Sequence, residues 1–105
     1  MEEIEIKKLF ITSELQKDDE GDRQKGNTDV IVFLSDGHKY TASFFSYDFI
    51  EQVRSRNKLS GDFLGGKYFW GKNMVLVEKC TLDVISPVIK DIIDEGEFKV
   101  IFRHL

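Results

Sequence analysis

An Asp36-Gly37 pair lies between two segments with the apolar patterns of strands, and it limits the possible folds more than any other feature. The segment before it, Asp29–Ser35, contains an unbroken apolar run, and the segment after it, His38–Phe45, is apolar at every second position. Asp-Gly between such segments is a strong hairpin signal, because both residues tolerate the positive φ of a tight turn. We therefore expect two antiparallel strands here. The residues predicted on the core face are Tyr40, Ala42 and Phe44.

The region before this hairpin predicts one further strand and a loop. Glu3–Leu15 begins with the strict alternation of a half-buried strand, and the pattern shifts near Lys7 and Lys8, which indicates either a bulge or burial on both faces. The following segment, residues 16–28, is charged and has no apolar residue. It predicts a mobile loop that joins two antiparallel strands.

Two short helices are predicted from capping signals. Ser46–Lys58 can be capped by Ser46 or Asp48, and it has a short apolar stripe and cations near its C-terminal end. A second helix is predicted to start at Ser86-Pro87 and to end at Gly96. Further strands are predicted at Lys67–Trp70, Met74–Lys79 and Phe98–Phe102.

The element order is therefore β-β-β-α-β-β-α-β. It predicts a single α+β domain over residues 1–105, with a mostly antiparallel sheet and the two short helices on one face.

Composition restricts the class of protein. The chain has 105 residues, of which 41% are hydrophobic and 32% charged, as expected for one globular domain. Its one cysteine, Cys80, excludes an intrachain disulfide, and no apolar segment has the length of a membrane span. The N-terminal residues lack the pattern of a signal peptide, so we expect a cytoplasmic protein.

The charge is unevenly distributed around a net value of −4. Acidic residues gather before residue 23 and again after residue 90, and they would suit a basic protein partner by electrostatic steering. The candidate partner-binding residues are Asp18, Asp19, Glu20, Asp22, Asp91, Asp94 and Glu95.

Cations and aromatic residues gather between residues 54 and 72, where bases could stack and phosphates could be neutralised. The alternative to this nucleic-acid surface is a core hairpin beside a solvated helix end. The residues concerned are Arg54, Arg56, Lys58, Lys67, Tyr68, Trp70 and Lys72.

No motif predicts catalysis, a metal or a cofactor. His38 with Asp36 could act in acid–base chemistry, but a solvated turn explains both residues. Cys80 has no histidine near it in sequence, which favours a buried structural thiol. The acids of the charged loop resemble the start of a calcium loop, although Arg23 occupies the position of its required glycine. We therefore predict a protein that is not an enzyme.

In the stretch Ser60–Glu78, several glycines are followed at once by large aromatic rings, which is typical of a tightly constrained backbone. Its first part, SGDFLGGKYFW, together with VIVFLSDGHKYTASFF before it and MVLVEK and VIKDIIDEGEF after it, resembles a group of small acidic bacterial proteins of the immunity type. Such proteins belong to polymorphic or contact-dependent toxin systems. The resemblance spans Val30 to Phe102 and implies a protein that binds and inhibits a cognate toxin domain without catalysis.

Four functional hypotheses follow, of which a small enzyme that uses His38, Asp36 or Cys80 has no local support in the sequence. The first is an inhibitory protein-binding domain whose partner is a cognate toxin. The second is a small nucleic-acid-binding module that uses residues 54–72, and the net negative charge disfavours it. The third is a structural domain without a ligand, in which free strand edges support self-pairing.

Overall fold

The structure is a computed structural model that describes residues 4–11 and 26–105. Its helices and strands combine in an α+β fold, as the sequence predicts. The strands are β1 (Ile6–Ile11), β2 (Asn27–Leu34), β3 (Lys39–Ser46), β4 (Met74–Val77) and β5 (Arg103–His104). The helices are α1 (Tyr47–Ser60), α2 (Asp62–Gly66), α3 (Leu82–Asp94) and α4 (Phe98–Ile101).

The sheet is mostly antiparallel, with the order β1-β2-β3-β4, and β5 also pairs with β3. Among the described strands, only β4 runs parallel to its neighbour, because α1 and α2 carry the chain back before it re-enters the sheet. The hairpin at Asp36-Gly37 is confirmed: Leu34 N–H donates to the His38 carbonyl at 2.9 Å, and Gly37 has a φ of 94°. The predicted bulge is also confirmed, since the β1–β2 register shifts between Ile6 and Lys8.

One face of the sheet carries the main core. The predicted residues Tyr40, Ala42 and Phe44 are buried there, beside the buried residues of β2. Two rings from the C-terminal region cover them: Phe98 packs edge-on against Tyr40 at 5.2 Å, and Phe102 lies 6.1 Å from Phe44. Burying a ring of this size stabilises a fold by roughly 1.5–3 kcal/mol, so this contact anchors α4 and β5 to the sheet.

The opposite face carries α1, whereas the sequence predicted both helices on one face. Phe45 points away from the core face, because it alternates with Phe44 along β3. Its ring lies 6.0 Å from that of Phe49 in α1 and 5.9 Å from that of Phe69. The described part of the sheet is therefore covered by α3 and α4 on one side and by α1 on the other.

The two predicted helices exist with shifted bounds. Of the two predicted caps, Ser46 rather than Asp48 caps α1, since the Ser46 Oγ accepts from Phe49 N–H at 3.1 Å. The other helix, α3, begins at Leu82 rather than at Ser86, and Pro87 lies inside it on an exposed side. The earlier start places Ile85 one turn before Ile89, and both side chains are fully buried.

Two predicted strands are wrong. Phe98–Phe102 has an alternating pattern, but it forms the helical turn α4, in which Phe98 and Phe102 share one face and Val100 is 74% exposed. Lys67–Trp70 is irregular: Phe69 packs inward as alternation requires, yet no described strand pairs with the segment.

Residues 16–25 of the predicted loop 16–28 lie outside the described residues. Its last two residues, Asn27 and Thr28, belong to β2, which therefore starts earlier than predicted.

Candidate functional site

The glycine-rich stretch forms a left-handed turn directly after α1. Gly61, with a φ of 88°, ends α1, and α2 then has left-handed angles at Phe63 (φ 52°, ψ 46°), Leu64 (φ 55°, ψ 44°) and Gly65 (φ 68°, ψ 33°). Left-handed conformation costs residues other than glycine roughly 1–2 kcal/mol each. Phe63 and Leu64 therefore store backbone strain.

Aromatic packing holds this turn in place. The Phe63 ring contacts the rings of Tyr68 at 5.3 Å and of Phe69 at 5.0 Å. At the end of the turn, Gly66 lies so close to α1 that a Cβ there would meet the Arg54 carbonyl oxygen at 2.7 Å. Strain of this kind persists only where the surrounding contacts impose it. The turn is thus a constrained element joined to α1.

The turn and its flanks present large apolar side chains to solvent. Leu59 is 91% exposed, Leu64 70%, Tyr68 50% and Trp70 61%. We call these four residues the aromatic surface. Single exposed apolar residues are common, but several within one short segment are typical of an interaction site. Tyr68 and Trp70 were candidates from sequence, and the structure places both at the surface.

A groove of about 200 Å³ lies beside the aromatic surface, between α1 and β4. Its lining is mainly apolar, and Arg54 and Lys67 contribute its positive charges. Arg54 also forms an exposed ion pair with Glu51, at 3.3 Å. The residues that line the groove are Ile50, Arg54, Gly66, Lys67, Tyr68, Phe69, Met74 and Leu76.

The predicted basic residues are all exposed, at positions 54, 56, 58, 67 and 72. Arg54 and Lys67 line the groove, whereas Lys72 lines a separate, polar depression with Asp29 and Arg103. The alternative of a core hairpin is wrong for Tyr68 and Trp70, because only Phe69 of that triplet is turned inward. Arg54 and Lys67 therefore lie beside Tyr68 of the aromatic surface, whereas Lys72 lies at a different depression.

The predicted acidic residues are divided between described and undescribed parts of the chain. Asp18, Asp19, Glu20 and Asp22 lie outside the described residues. The other three, Asp91, Asp94 and Glu95, are exposed at the C-terminal end of α3. They face the negative end of the helix dipole there, which is unfavourable for carboxylates.

The candidates for acid–base or nucleophilic chemistry do not meet. Asp36 Oδ1 accepts from the backbone N–H of His38 at 2.9 Å, so this carboxylate closes the turn. The His38 ring pairs instead with His104, with 3.0 Å between Nδ1 and Nε2. Cys80 lies at the other end of β3, about 20 Å away at 3.3 Å per residue. His38 and Cys80 therefore cannot form a base–nucleophile pair.

Cys80 is a half-buried thiol that hydrogen-bonds within the fold. Its Sγ lies 3.5 Å from the Phe44 carbonyl oxygen and 3.6 Å from that of Gly26. Burial raises the pKa of Cys80 from 9.0 to about 11, and a backbone hydrogen bond from Ser46 lowers it in part. Because the thiolate is the reactive form, this environment suppresses nucleophilic reactivity.

Metal-ligating side chains do not converge in the described residues: no three His, Cys, Asp or Glu side chains there are placed to hold an ion. None of the described helices has the length and apolar character needed to cross a bilayer. Comparison of the chain with protein-family models, curated proteins and solved structures gave no match.

Sequence reasoning missed Leu59, Leu64 and the groove. Leu59 follows Lys58 in the last turn of α1, outside the apolar stripe, and that position could have indicated an exposed leucine. The groove has no local signal, because its lining comes from α1, from the segment after α2 and from β4.

Proposed function

We propose that this chain is a non-catalytic domain that binds a protein partner through its aromatic surface. The observation that carries the proposal is the exposure of Leu64 on one constrained turn and of Leu59, Tyr68 and Trp70 on the segments that flank it. Tyrosine and tryptophan are enriched among the residues that contribute most to protein interfaces. A constrained turn also lowers the entropy lost on binding, because its side chains are already positioned.

The partner proposed is a toxin domain, which the chain inhibits in the manner of an immunity protein. This part of the proposal comes from the resemblance of Val30 to Phe102 to immunity-type proteins. Binding by an exposed surface, without any reaction at the contact, is sufficient for such a role.

Nucleic acid is the second candidate partner, because Tyr68 and Trp70 are exposed among cations. Leu59 and Leu64 favour protein instead, since a base stacks on an aromatic ring and an aliphatic side chain offers none. The net charge of −4 also favours a protein partner.

The test is protection of cells from a toxin encoded beside this protein. The tagged chain is expressed in its native host with the neighbouring reading frames, and the protein that co-purifies is then expressed alone and with the chain. We expect growth arrest by the partner alone and rescue by the wild-type chain. Tyr68→Ala combined with Trp70→Ala should abolish rescue.

Val100→Ala is the matched control, because Val100 is an exposed apolar residue of α4 and does not belong to the aromatic surface. Rescue by the double variant at the wild-type level would contradict the assigned surface. Recovery of nucleic acid in place of protein, dependent on Tyr68 and Trp70, would replace the proposal by the second candidate.

A further inference from the structure

The strand β4 lies at the edge of the sheet. It pairs with β3 on one side, and no described strand pairs with its other side. Ser43 N–H donates to the Asn73 carbonyl at 2.8 Å, so the backbone groups of Asn73 are directed towards β3. Because these groups alternate between the two edges of a strand, those of Met74 and Leu76 point to the free edge. No backbone group of a described residue outside the sheet bonds to them.

The groove borders this free edge. Met74 and Leu76 supply one wall of it, and Ile50 of α1 supplies part of the opposite wall. Its volume of about 200 Å³ is below the roughly 300–1,000 Å³ typical of sites for small molecules and cofactors. The groove therefore suits an apolar side chain of a polypeptide better than a whole cofactor.

The charge of the groove is positive. Arg54 and Lys67 line it, and no aspartate or glutamate does. Glu51 lies close to Arg54, but that ion pair is exposed on both sides and contributes little. A partner segment with acidic residues would complement these two cations.

We propose that β4 and the groove bind an extended acidic segment of the protein partner by strand addition. The segment pairs with the free backbone groups of Met74 and Leu76 and inserts an apolar side chain into the groove. Its carboxylates pair with Arg54 and Lys67. Strand addition of this kind gives affinity through main-chain hydrogen bonds and specificity through alternate side chains. The inference rests on the proposed function, because it names where and how the partner binds.

The chemistry of the site favours a peptide segment over two other occupants. A second copy paired at β4 would bring Arg54 and Lys67 of both copies to one symmetric interface, where like charges repel. Nucleic acid has no peptide groups to continue the sheet, although the two cations could bind its phosphates.

The experiment selects peptides on the full chain from a bead-displayed library of random heptapeptides. We expect enriched sequences that combine an apolar residue with aspartate or glutamate. A fluorescein-labelled peptide with the enriched sequence is then titrated with the chain, and binding is followed by anisotropy. A selection without enrichment, or with enrichment of basic sequences, would overturn the inference.

N-methylation of the peptide tests the backbone pairing without changing the protein. Each peptide amide is methylated in turn, and we expect losses of tenfold or more at every second position, because only those amides face β4. Equal effects at all positions would overturn strand addition.

Charge reversal tests the cations. Arg54→Glu combined with Lys67→Glu should weaken peptide binding at least tenfold, while Lys90→Glu, on the exposed side of α3, should change it less than twofold. Equal losses in both variants would overturn the assigned contact. Binding of a dT oligonucleotide more tightly than any selected peptide would assign the cations to nucleic acid instead.

These outcomes are distinguishable from failure of the proposed function. If Tyr68→Ala with Trp70→Ala abolishes rescue while Arg54→Glu with Lys67→Glu leaves it unchanged, the strand-addition inference fails and the protein-binding function stands. If neither double variant affects rescue, both fail.

Discussion

The aromatic surface and the acidic end of α3 are two candidate binding regions with opposite physical character. The aromatic surface combines large exposed apolar side chains with a strained left-handed backbone and neighbouring cations. The acidic end consists of Asp91, Asp94 and Glu95 on a regular helix that Gly96 ends in the usual left-handed conformation. Only the first region therefore stores strain in residues other than glycine.

The difference separates two ways in which a surface recognises a partner. Exposed carboxylates act at long range and mainly raise the association rate. Buried aromatic contacts act at short range and mainly determine how slowly a complex dissociates. Because the two regions would attract partners of opposite local charge, experiments on one partner can decide between them.

The largest expected effect is on partner affinity. Tyr68→Ala with Trp70→Ala should weaken binding at least 100-fold, because truncating a central aromatic residue costs about 2–4 kcal/mol. Titration calorimetry with the co-purifying partner measures this loss, and Val100→Ala serves as the control. A loss of affinity below threefold would contradict the proposal that the partner binds the aromatic surface rather than the acidic end of α3.

The next largest effect is on the alkylation rate of Cys80. This residue lies in the segment between β4 and α3, which connects the two regions along the chain. A thiol pKa raised from 9.0 to about 11 lowers the thiolate fraction at pH 8 about 100-fold. Alkylation by iodoacetamide at pH 8 should therefore be about 100-fold slower in the folded chain than in urea. Equal rates would indicate that this segment opens readily.

The same shift predicts a pH dependence of stability. The folded-state pKa lies above the unfolded value, so this contribution is fully present below pH 9 and is lost as the pH rises through about 11. The free energy of unfolding should fall between pH 8 and pH 11, and Cys80→Ala should reduce that fall. An identical pH profile of stability in the variant would contradict the predicted contribution of Cys80.

A third effect compares one glycine in each region. Gly66 and Gly96 both have positive φ, but only Gly66 is crowded, by the Arg54 carbonyl oxygen. Gly96→Ala should cost about 1 kcal/mol from its backbone conformation, and Gly66→Ala should cost at least about 2 kcal/mol. Urea unfolding measures both. Equal losses of unfolding free energy would indicate that the backbone near Gly66 shifts to accommodate the added Cβ without a further cost.

The smallest effect is expected at the acidic end. Changing Asp91, Asp94 and Glu95 to lysine should raise the free energy of unfolding by about 1 kcal/mol, because cations suit a helix C-terminus. Partner affinity should change less than twofold. A tenfold loss of affinity would instead assign partner binding to these carboxylates, as the sequence hypothesis of a basic toxin predicts.

Local patterns predicted much of the fold. The Asp36-Gly37 hairpin, the bulge in β1 and the capping of α1 by Ser46 depend on residues close in sequence, and all three are confirmed. The alternation at Phe98–Phe102 gave a wrong prediction of a strand, because phenylalanines four residues apart also share one face of a helical turn.

The candidate site was predicted only in part. Tyr68 and Trp70 stood out because rings and lysines are adjacent in sequence, but alternation alone left open which rings were buried. The groove could not be predicted, since Ile50, Lys67 and Leu76 meet only after α1 packs beside β4.

The sequence by itself determined the α+β class, the first antiparallel strands and the core face of β3, because period-two patterns and turn residues act locally. Only the tertiary structure decided that α1 lies opposite α3, that β4 runs parallel to β3, and that Tyr68 and Trp70 are exposed. These features depend on contacts between segments that are distant in sequence, such as that of Phe45 with Phe69. Such contacts form where apolar area is buried best, which a local pattern does not encode.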